Sequence, residues 1–154
     1  MTETHSGSAV DLLVIGGGTA GIVAAKTAAR FGADVLLVER DRMGGDCLWT
    51  GCVPSKSLIA AADAATCARS SAELGVRASE VAVDFAAVMR HVHAAISTIE
   101  PEDSPEALHA VGARVTLGSA HFLGPREAEV NGERIRFRQA IIATGSAPVL
   151  PGIE

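Results

Sequence analysis

The residues Asp11 to Gly21 read DLLVIGGGTAG, an apolar run that ends in a glycine-rich turn. The run DLLVI predicts a short buried strand, because it is apolar and bounded by glycines. Residues 19–31 are rich in alanine and stop at Gly32, which predicts a helix with a glycine stop. Residues 33–39, ADVLLVE, predict a second apolar strand. A strand, a helix and a strand at this spacing form a βαβ unit, so we expect two parallel strands covered by helices.

The glycine loop, Gly16 to Gly21, satisfies the pattern G-x-G-x-x-G between that strand and that helix. In such a loop Gly16 permits a tight turn, Gly18 lets the backbone approach a pyrophosphate, and Gly21 lets the helix pack closely on the strand. The pyrophosphate then meets the free amides of the helix N-terminus. Glu39, at the end of the second strand, would accept hydrogen bonds from adenosine ribose hydroxyls. The loop alone does not distinguish FAD from NAD, and a glycine turn without a ligand is the alternative.

Beyond this unit the sequence predicts further helices. Residues 54–69 favour a helix, and residues 84–112 favour a second helical tract that is broken or kinked near Pro101 and Pro105. The apolar positions of the second tract step by three and four, which is the helical period: Phe85, Val88, Val92 and Ile96.

From residue 113 the pattern changes to short strands, ARVTLG, SAHFLG, EAEVNG and ERIRFR. Asn131-Gly132 lies between two of these runs and is a strong hairpin signal. Residues 139–143, QAIIA, predict a last buried strand that ends at Thr144-Gly145. The chain therefore predicts an α/β fold with a parallel sheet, a helical insert at residues 67–112 and a small antiparallel β-meander.

The composition limits the class of protein. The chain has 154 residues, enough for one domain, and 48% are hydrophobic, which excludes a disordered chain. The net charge of −5 argues against a nucleic-acid partner. Residues 10–22 are too short and too glycine-rich for a membrane span. A signal peptide begins with a positively charged region, whereas Met1 to Ala9 contains no Lys or Arg. Three cysteines, an odd number, do not make a secreted disulfide framework. We therefore expect a cytoplasmic protein.

Cys47 and Cys52 lie five positions apart in the stretch GGDCLWTGCVPSK. A disulfide between them would add only about 2 kcal/mol of stability, because it closes a very small loop. The residues leave three possibilities, namely inert buried thiols, zinc ligands and a redox-active disulfide. Zinc needs four ligands, and the nearest candidates, His91 and His93, would point to different faces of a helix. We expect Gly44, Gly45 and Gly51 to give a backbone flexible enough to bring the two thiols into bonding distance.

Pro54 and Ser55 suit the start of a helix just after Cys52. Helix N-terminal amides, together with the charge of Lys56 on the same turn, would lower the pKa of Cys52 toward a thiolate. Cys67, in the run AATCARS, is expected to be a small core residue.

The spacing C-x₄-C-x-P-S-K, from Cys47 to Lys56, resembles the flavoprotein disulfide reductases when it is combined with the upstream glycine loop. This is the pyridine nucleotide–disulfide oxidoreductase family, which includes dihydrolipoamide dehydrogenase, glutathione reductase and mercuric reductase. The resemblance implies a Rossmann-like FAD/NAD(P)-binding fold. It also implies catalytic roles for three residues: Cys47 as the thiol that exchanges with substrate, Cys52 as the charge-transfer thiol beside the flavin, and Lys56 near the reactive flavin nitrogen.

Two later segments carry weaker resemblances to the same family. Residues 141–145, IIATG, resemble the ATG segment of its flavin domain, and residues 118–122, GSAHF, resemble a strand whose backbone contacts the adenine. The FAD site implied by the resemblance consists of Gly16, Gly18, Thr19, Ala20, Gly21, Glu39, Arg40, Gly45, Asp46, Cys47, Gly51, Cys52, Lys56, Ala120, Ala143, Thr144 and Gly145, with no metal site.

The resemblance also implies what this sequence does not contain. Family members carry a second G-x-G-x-x-G domain for NAD(P)H and a dimerisation domain, so we expect residues 1–154 to be an incomplete FAD-binding segment of a homodimeric enzyme, inactive alone. Electrons would pass from NAD(P)H through FAD to the cysteine pair and on to a disulfide or metal-ion substrate. The alternative is a stand-alone dinucleotide-binding module without catalytic activity.

Overall fold

The computed structural model describes residues 9–78 and 80–153. Most of the stretch on which the argument against a signal peptide rests, residues 1–8, lies outside them. The chain divides into two compact units, one formed by Met1–Gly44 with Asp103–Glu154 and the other by Gly45–Glu102. The helices are α1 Thr19–Arg30, α2 Gly45–Trp49, α3 Cys52–Ser70, α4 Phe85–Ile99 and α5 Pro105–His109, with 3₁₀ turns at Ser71–Leu74 and Glu100–Asp103. The strands are β1 Val10–Ile15, β2 Val35–Glu39, β3 Ala113–Leu117, β4 Ala120–Gly124, β5 Glu127–Val130 and β6 Glu133–Ile142.

The first unit contains one six-stranded sheet in the order β3-β2-β1-β6-β5-β4. Strands β3, β2, β1 and β6 pair in parallel, whereas β4, β5 and the first half of β6 pair antiparallel. The predicted α/β fold with a parallel sheet and an antiparallel meander is therefore confirmed, and so is the βαβ unit at its start.

The side chains of β1 and β2 alternate between two hydrophobic clusters. Leu13 and Leu36 belong to a cluster with the meander residues Ala128, Val130, Ile135 and Phe137. Val14 and Leu37 belong to a second cluster with α1 residues such as Ile22 and Ala25. Both strands are thus buried on both faces, as parallel strands require. Helix α1 covers one face, as the sequence predicts, and the meander covers the other.

Strand β6 differs from its prediction in length and in burial. ERIRFR and QAIIA form one continuous strand, because its first half pairs with β5 while its second half pairs with β1. The end of β6 is not buried as predicted, since Ile142 is 66% exposed. The predicted hairpin at Asn131-Gly132 is confirmed: the φ angles of 54° and 82° are those of a type I′ turn.

The second unit consists of α2, α3 and α4. Leu48, Val92 and Ile96 form its buried core, and Asp84 begins α4 by accepting a hydrogen bond from the Ala87 amide at 3.0 Å. The predicted helix starts two residues before Pro54, at Cys52, and α2 was not predicted. The helical tract after Asp84 ends at Ile99 and resumes at Pro105, as the two prolines predict.

One prediction about an individual side chain of these helices is wrong. Cys67 is exposed and not a core residue, because Ser57 is the only residue of α3 that is buried. Phe85 is 65% exposed, although Val92 and Ile96 of the same apolar pattern are buried. Within residues 9–78 and 80–153, no helix has the length and the apolar character that crossing a membrane requires.

Candidate functional site

The glycine loop follows directly on β1 and lies beside the end of β6. The Ala143 amide donates to the carbonyl of Ile15 at 2.7 Å, so the chain beyond β6 runs next to the loop. Gly16 has a φ of 108°, and a Cβ at this position would lie 2.2 Å from the Ala143 carbonyl oxygen. A residue with a side chain cannot occupy this place without moving backbone. The structure thus brings together the loop and Ala143, two segments that the sequence assigned to one site.

Gly21 is the second position in the loop where backbone leaves no room for a side chain. A Cβ there would lie 1.8 Å from the Gly16 carbonyl oxygen and 3.3 Å from Cγ1 of Val14. This close approach places the first turn of α1 against β1, as the pattern predicts.

The N-terminus of α1 has no side chain that caps it. Gly18 is the N-cap residue, and the first turn contains no acidic residue. Thr19 and Ala20, the first two residues of α1, are exposed. Free amides and the helix dipole favour an anion such as a pyrophosphate at this end.

Glu39 is held in place by backbone amides. Its Oε2 accepts a hydrogen bond from the Gly17 amide at 2.5 Å, and its Oε1 accepts one from the Asp41 amide at 2.8 Å. Each carboxylate oxygen has further lone pairs, so the group can still accept hydrogen bonds from two hydroxyls. A turn shaped by glycines, an uncapped helix and an oriented carboxylate together fit the pyrophosphate and ribose of a dinucleotide.

Gly17 is a site residue that the sequence analysis missed. A Cβ at this position would lie 2.5 Å from Sδ of Met43 and 3.1 Å from Oε2 of Glu39. The Gly17 carbonyl also accepts a hydrogen bond from the Gly44 amide at 2.8 Å. The pattern G-x-G-x-x-G treats this position as variable, so the pattern contains no signal that would have found it.

The remaining residues predicted for the cofactor lie in several places of the first unit. Arg40 is exposed after β2, and Thr144 and Gly145 are exposed after β6. Ala120 pairs with Val130 at the start of β4 and packs against the meander side of the sheet. These positions leave the backbone contact of Ala120 with an adenine as a prediction.

The cysteine segment, Gly45 to Lys56, lies in the second unit and is helical over most of its length. Cys47 lies within α2, and Cys52 is the first residue of α3. The Gly51 amide, between the two helices, donates to the Asp46 carbonyl at 2.5 Å, and a Cβ on Gly51 would lie 2.8 Å from that oxygen. Gly51 thus permits a close approach of backbone between α2 and α3, and the flexibility expected of this segment stays a prediction.

The other two glycines of this stretch adopt backbone angles that favour glycine. Gly44 and Gly45 have φ angles of 102° and 57°. The exposed Asp46 side chain also interacts with Thr50, whose hydroxyl lies 3.3 Å from Oδ1 of Asp46. The positive φ of Gly45 explains why a glycine begins α2.

The thiols of Cys47 and Cys52 interact directly. The pKa of Cys52 is raised, first because its side chain hydrogen-bonds with Cys47 and then because a charge on Cys47 repels a second one. Lys56, one helical turn further along α3, lowers this pKa, as predicted. The prediction that the pKa of Cys52 is low overall is wrong, because the effect of the neighbouring thiol is larger than that of the lysine.

Within residues 9–78 and 80–153, no group of three or more His, Cys, Asp or Glu side chains is arranged to hold a metal ion. Cys67 is an exposed thiol near the other end of α3. The two cysteines that contact each other are therefore the pair that the spacing singled out.

Comparisons with known proteins cover almost the whole chain. The family described as "Pyridine nucleotide-disulphide oxidoreductase" matches residues 10–154. Dihydrolipoyl dehydrogenase 2 of Haloarcula marismortui is 40% identical over 152 residues, which cover 94% of this chain and 32% of that protein. Mercuric reductase of Streptomyces lividans is 35% identical and matches 100% of this chain and 33% of its own. Mercuric reductase of Staphylococcus aureus is 34% identical and matches 93% of this chain and 26% of its own.

A solved structure has the same fold. It is a Cu(II) complex of a cysteine-to-serine mutant of the HOCl-induced flavoprotein disulfide reductase RclA from Escherichia coli, with a TM-score of 0.74 and 23% identity. The match covers 96% of this chain and 31% of that one. The chain thus spans about a third, or less, of the length of the proteins that it resembles.

Proposed function

The chain belongs to the pyridine nucleotide-disulphide oxidoreductase family, and from this membership we propose that it is the FAD-binding portion of a flavoprotein oxidoreductase with a redox-active Cys47–Cys52 pair. The observation that carries the proposal is the direct interaction of these two thiols. Thiols in hydrogen-bonding contact are near each other, as the partners of a disulfide must be.

The cofactor proposed for the glycine loop is FAD, with its pyrophosphate at the N-terminus of α1 and its adenosine ribose at Glu39. The uncapped helix end and the two backbone amides that orient the Glu39 carboxylate support this assignment. When bound, FAD would supply a carrier that accepts two electrons from NAD(P)H and passes them to a disulfide. The family membership supports FAD over NAD at this loop, because the loop alone fits either dinucleotide.

The proposed reaction of the two cysteines is thiol–disulfide exchange. The Cys47 thiolate attacks one sulfur of a substrate disulfide, which forms a mixed disulfide and releases one substrate thiolate. Cys52 then loses its proton and attacks the Cys47 sulfur, which releases the second substrate thiolate and forms the Cys47–Cys52 disulfide. Two electrons and two protons, ultimately from NAD(P)H and solvent, restore the dithiol. The substrate disulfide is reduced to two thiols and the nicotinamide is oxidised.

The resemblance to the family supports Cys47 as the thiol that exchanges with substrate and Cys52 as the thiol beside the flavin. Lys56 lowers the pKa of Cys52, against the effect of Cys47, and so favours a Cys52 thiolate. The proposed role of Lys56 is to stabilise the Cys52 thiolate and to lie near the flavin.

The substrate and the partners of the enzyme are proposed at the level of chemical class. Among the relatives are dihydrolipoyl dehydrogenases and mercuric reductases, so the proposed substrate is a small disulfide or a thiophilic metal ion. The family also suggests a homodimer. The sequence contains one G-x-G-x-x-G loop, so the NAD(P)H site of the proposed enzyme would require residues outside this chain.

Differential alkylation with mass spectrometry tests the redox assignment. The chain is oxidised with lipoamide, its remaining thiols are blocked, and it is then reduced and labelled. We expect the label on Cys47 and Cys52, while Cys67 is blocked in the first step and serves as the internal control. A disulfide that includes Cys67, or three thiols that are all blocked after oxidation, would contradict the proposal and favour a dinucleotide-binding module without redox chemistry.

A further inference from the structure

One peptide group at the end of β3 is hydrogen-bonded on both of its sides. The Gly118 amide donates to the carbonyl of Glu39 at 2.7 Å, which extends the pairing of β2 with β3 by one residue. The carbonyl of the same peptide, that of Leu117, points the opposite way because the peptide bond is planar and trans. It accepts a hydrogen bond from the side-chain amide of Asn131 at 2.8 Å.

Asn131 makes this contact from a conformation that is uncommon for a residue with a side chain. It is the one residue other than glycine with a positive φ among residues 9–78 and 80–153. Glycine would suit this position of a type I′ turn equally well, so the turn itself does not require the amide. The amide reaches back 14 positions along the chain, to a strand that does not pair with its own hairpin.

Gly118 provides the space for this contact. A Cβ on Gly118 would lie 2.3 Å from Oδ1 and 2.8 Å from Cγ and Nδ2 of Asn131. The Asn131 side chain therefore fits against the end of β3 only because residue 118 is a glycine. Through the two hydrogen bonds of the Leu117–Gly118 peptide, the hairpin turn of the meander is connected to the backbone of Glu39.

We propose that Asn131 is a positioning residue for the adenosine end of the cofactor site, an inference that rests on the proposed role of Glu39. The Asn131 amide holds the Leu117–Gly118 peptide, this peptide holds the Glu39 carbonyl, and the Glu39 carboxylate accepts the Gly17 amide at 2.5 Å. Without the amide, the peptide is held on one side only and Glu39 gains freedom to move. This freedom weakens the hydrogen bonds that the Glu39 carboxylate accepts from the ribose hydroxyls of the ligand.

The test measures how strongly the chain distinguishes ADP from 2′,3′-dideoxy-ADP, which lacks both ribose hydroxyls. Calorimetric titration gives the ratio of the two dissociation constants. Asn131→Gly and Asn131→Asp both remove the side-chain amide donor, and both residues are compatible with the type I′ turn. We expect each variant to reduce the ratio by about fivefold, the factor that one net hydrogen bond contributes. Two different variants keep the test valid if one of them folds poorly.

Two control variants separate positioning from general support of the fold. Gly132→Ala strains the same turn, since Gly132 has a φ of 82°, but it keeps the Asn131 amide and should leave the ratio unchanged. Glu39→Gln should reduce the ratio more than either Asn131 variant. A Gly118→Ala change should reduce the ratio more in the parent chain than in the Asn131→Gly chain, where the clash partner is gone and only the strain of a φ of 157° remains.

The outcomes distinguish this inference from the proposed function on which it rests. If Glu39→Gln collapses the ratio and both Asn131 variants retain it, the positioning role is overturned and the function of Glu39 stands. Equal loss of affinity for both nucleotides in the Asn131 variants would also overturn it, because a purely structural brace predicts that result. If the parent chain does not bind ADP, or if Glu39→Gln keeps the ratio, the proposed function of Glu39 fails.

Discussion

The substitution Gly16→Ala tests how the glycine loop is built. Two separate costs apply at this position. The first is the positive φ of 108°, which costs a residue with a Cβ about 1–2 kcal/mol. The second is the contact of 2.2 Å that the Cβ would make with the Ala143 carbonyl oxygen. Overpacking of this kind costs about 1–3 kcal/mol, so we expect a total loss of about 2–5 kcal/mol in the free energy of unfolding.

Gly32→Ala is the matched control, because only the first cost applies to it. Gly32 has a φ of 85°, and a Cβ there would have no atom within 4 Å. We therefore expect Gly32→Ala to cost about 1–2 kcal/mol. The difference between the two variants isolates the close approach of the loop to the end of β6.

Urea unfolding of the two variants and the parent chain measures this difference. We also expect Gly16→Ala to weaken FAD binding by more than about tenfold, which corresponds to about 1.4 kcal/mol, whereas Gly32→Ala should leave it unchanged. If the two variants lose the same stability within about 0.5 kcal/mol, a Cβ fits at position 16, and the packing of the loop against Ala143 is refuted.

Three further predictions concern the second unit. Cys47→Ala should lower the pKa of Cys52, because it removes both the hydrogen bond and the repulsion that raise this pKa. The pH profile of Cys52 alkylation then moves to lower pH, and an unchanged profile would contradict the direct contact of the thiols. Lys56→Met should raise the same pKa and move the profile to higher pH, and a shift the other way would show that Lys56 does not act by its charge. Asp84→Ala should destabilise the chain by about 1 kcal/mol in urea unfolding, since it removes the cap of α4, and no loss would mean that the Ala87 amide finds another partner.

The sequence predicts the first half of the fold well, because the signals there are local. The alternation between apolar strands, a glycine loop and an alanine-rich helix follows from neighbouring residues, and the turn at Asn131-Gly132 depends on two residues alone. Which elements pack on each face of the sheet depends on residues far apart in the sequence, because the meander is joined to β1 and β2 only through the pairing of β6 with β1. The sequence pattern predicted the meander strands but not that they pack over one face of β1 and β2.

The candidate site shows the same limit. The cysteine spacing and Glu39 were readable from the sequence, but the contacts that tune them were not. The pKa of Cys52 depends on where α2 places Cys47, and α2 is a short helix with a glycine at its start, which gave no helical signal. Gly17 occupies a variable position of its pattern. Cys67 lies on a helix whose alanine-rich sequence does not define a buried face.

The most direct test of the central claim is a calorimetric titration of the 154-residue chain with FAD and, separately, with NAD. If FAD occupies the glycine loop and Glu39, FAD binds more tightly than NAD. We also expect Gly32→Ala to leave the preference unchanged and Gly16→Ala to remove most of the FAD affinity. Tighter binding of NAD, or equal binding of both, would contradict the assignment of this chain as the FAD-binding portion of a disulfide oxidoreductase.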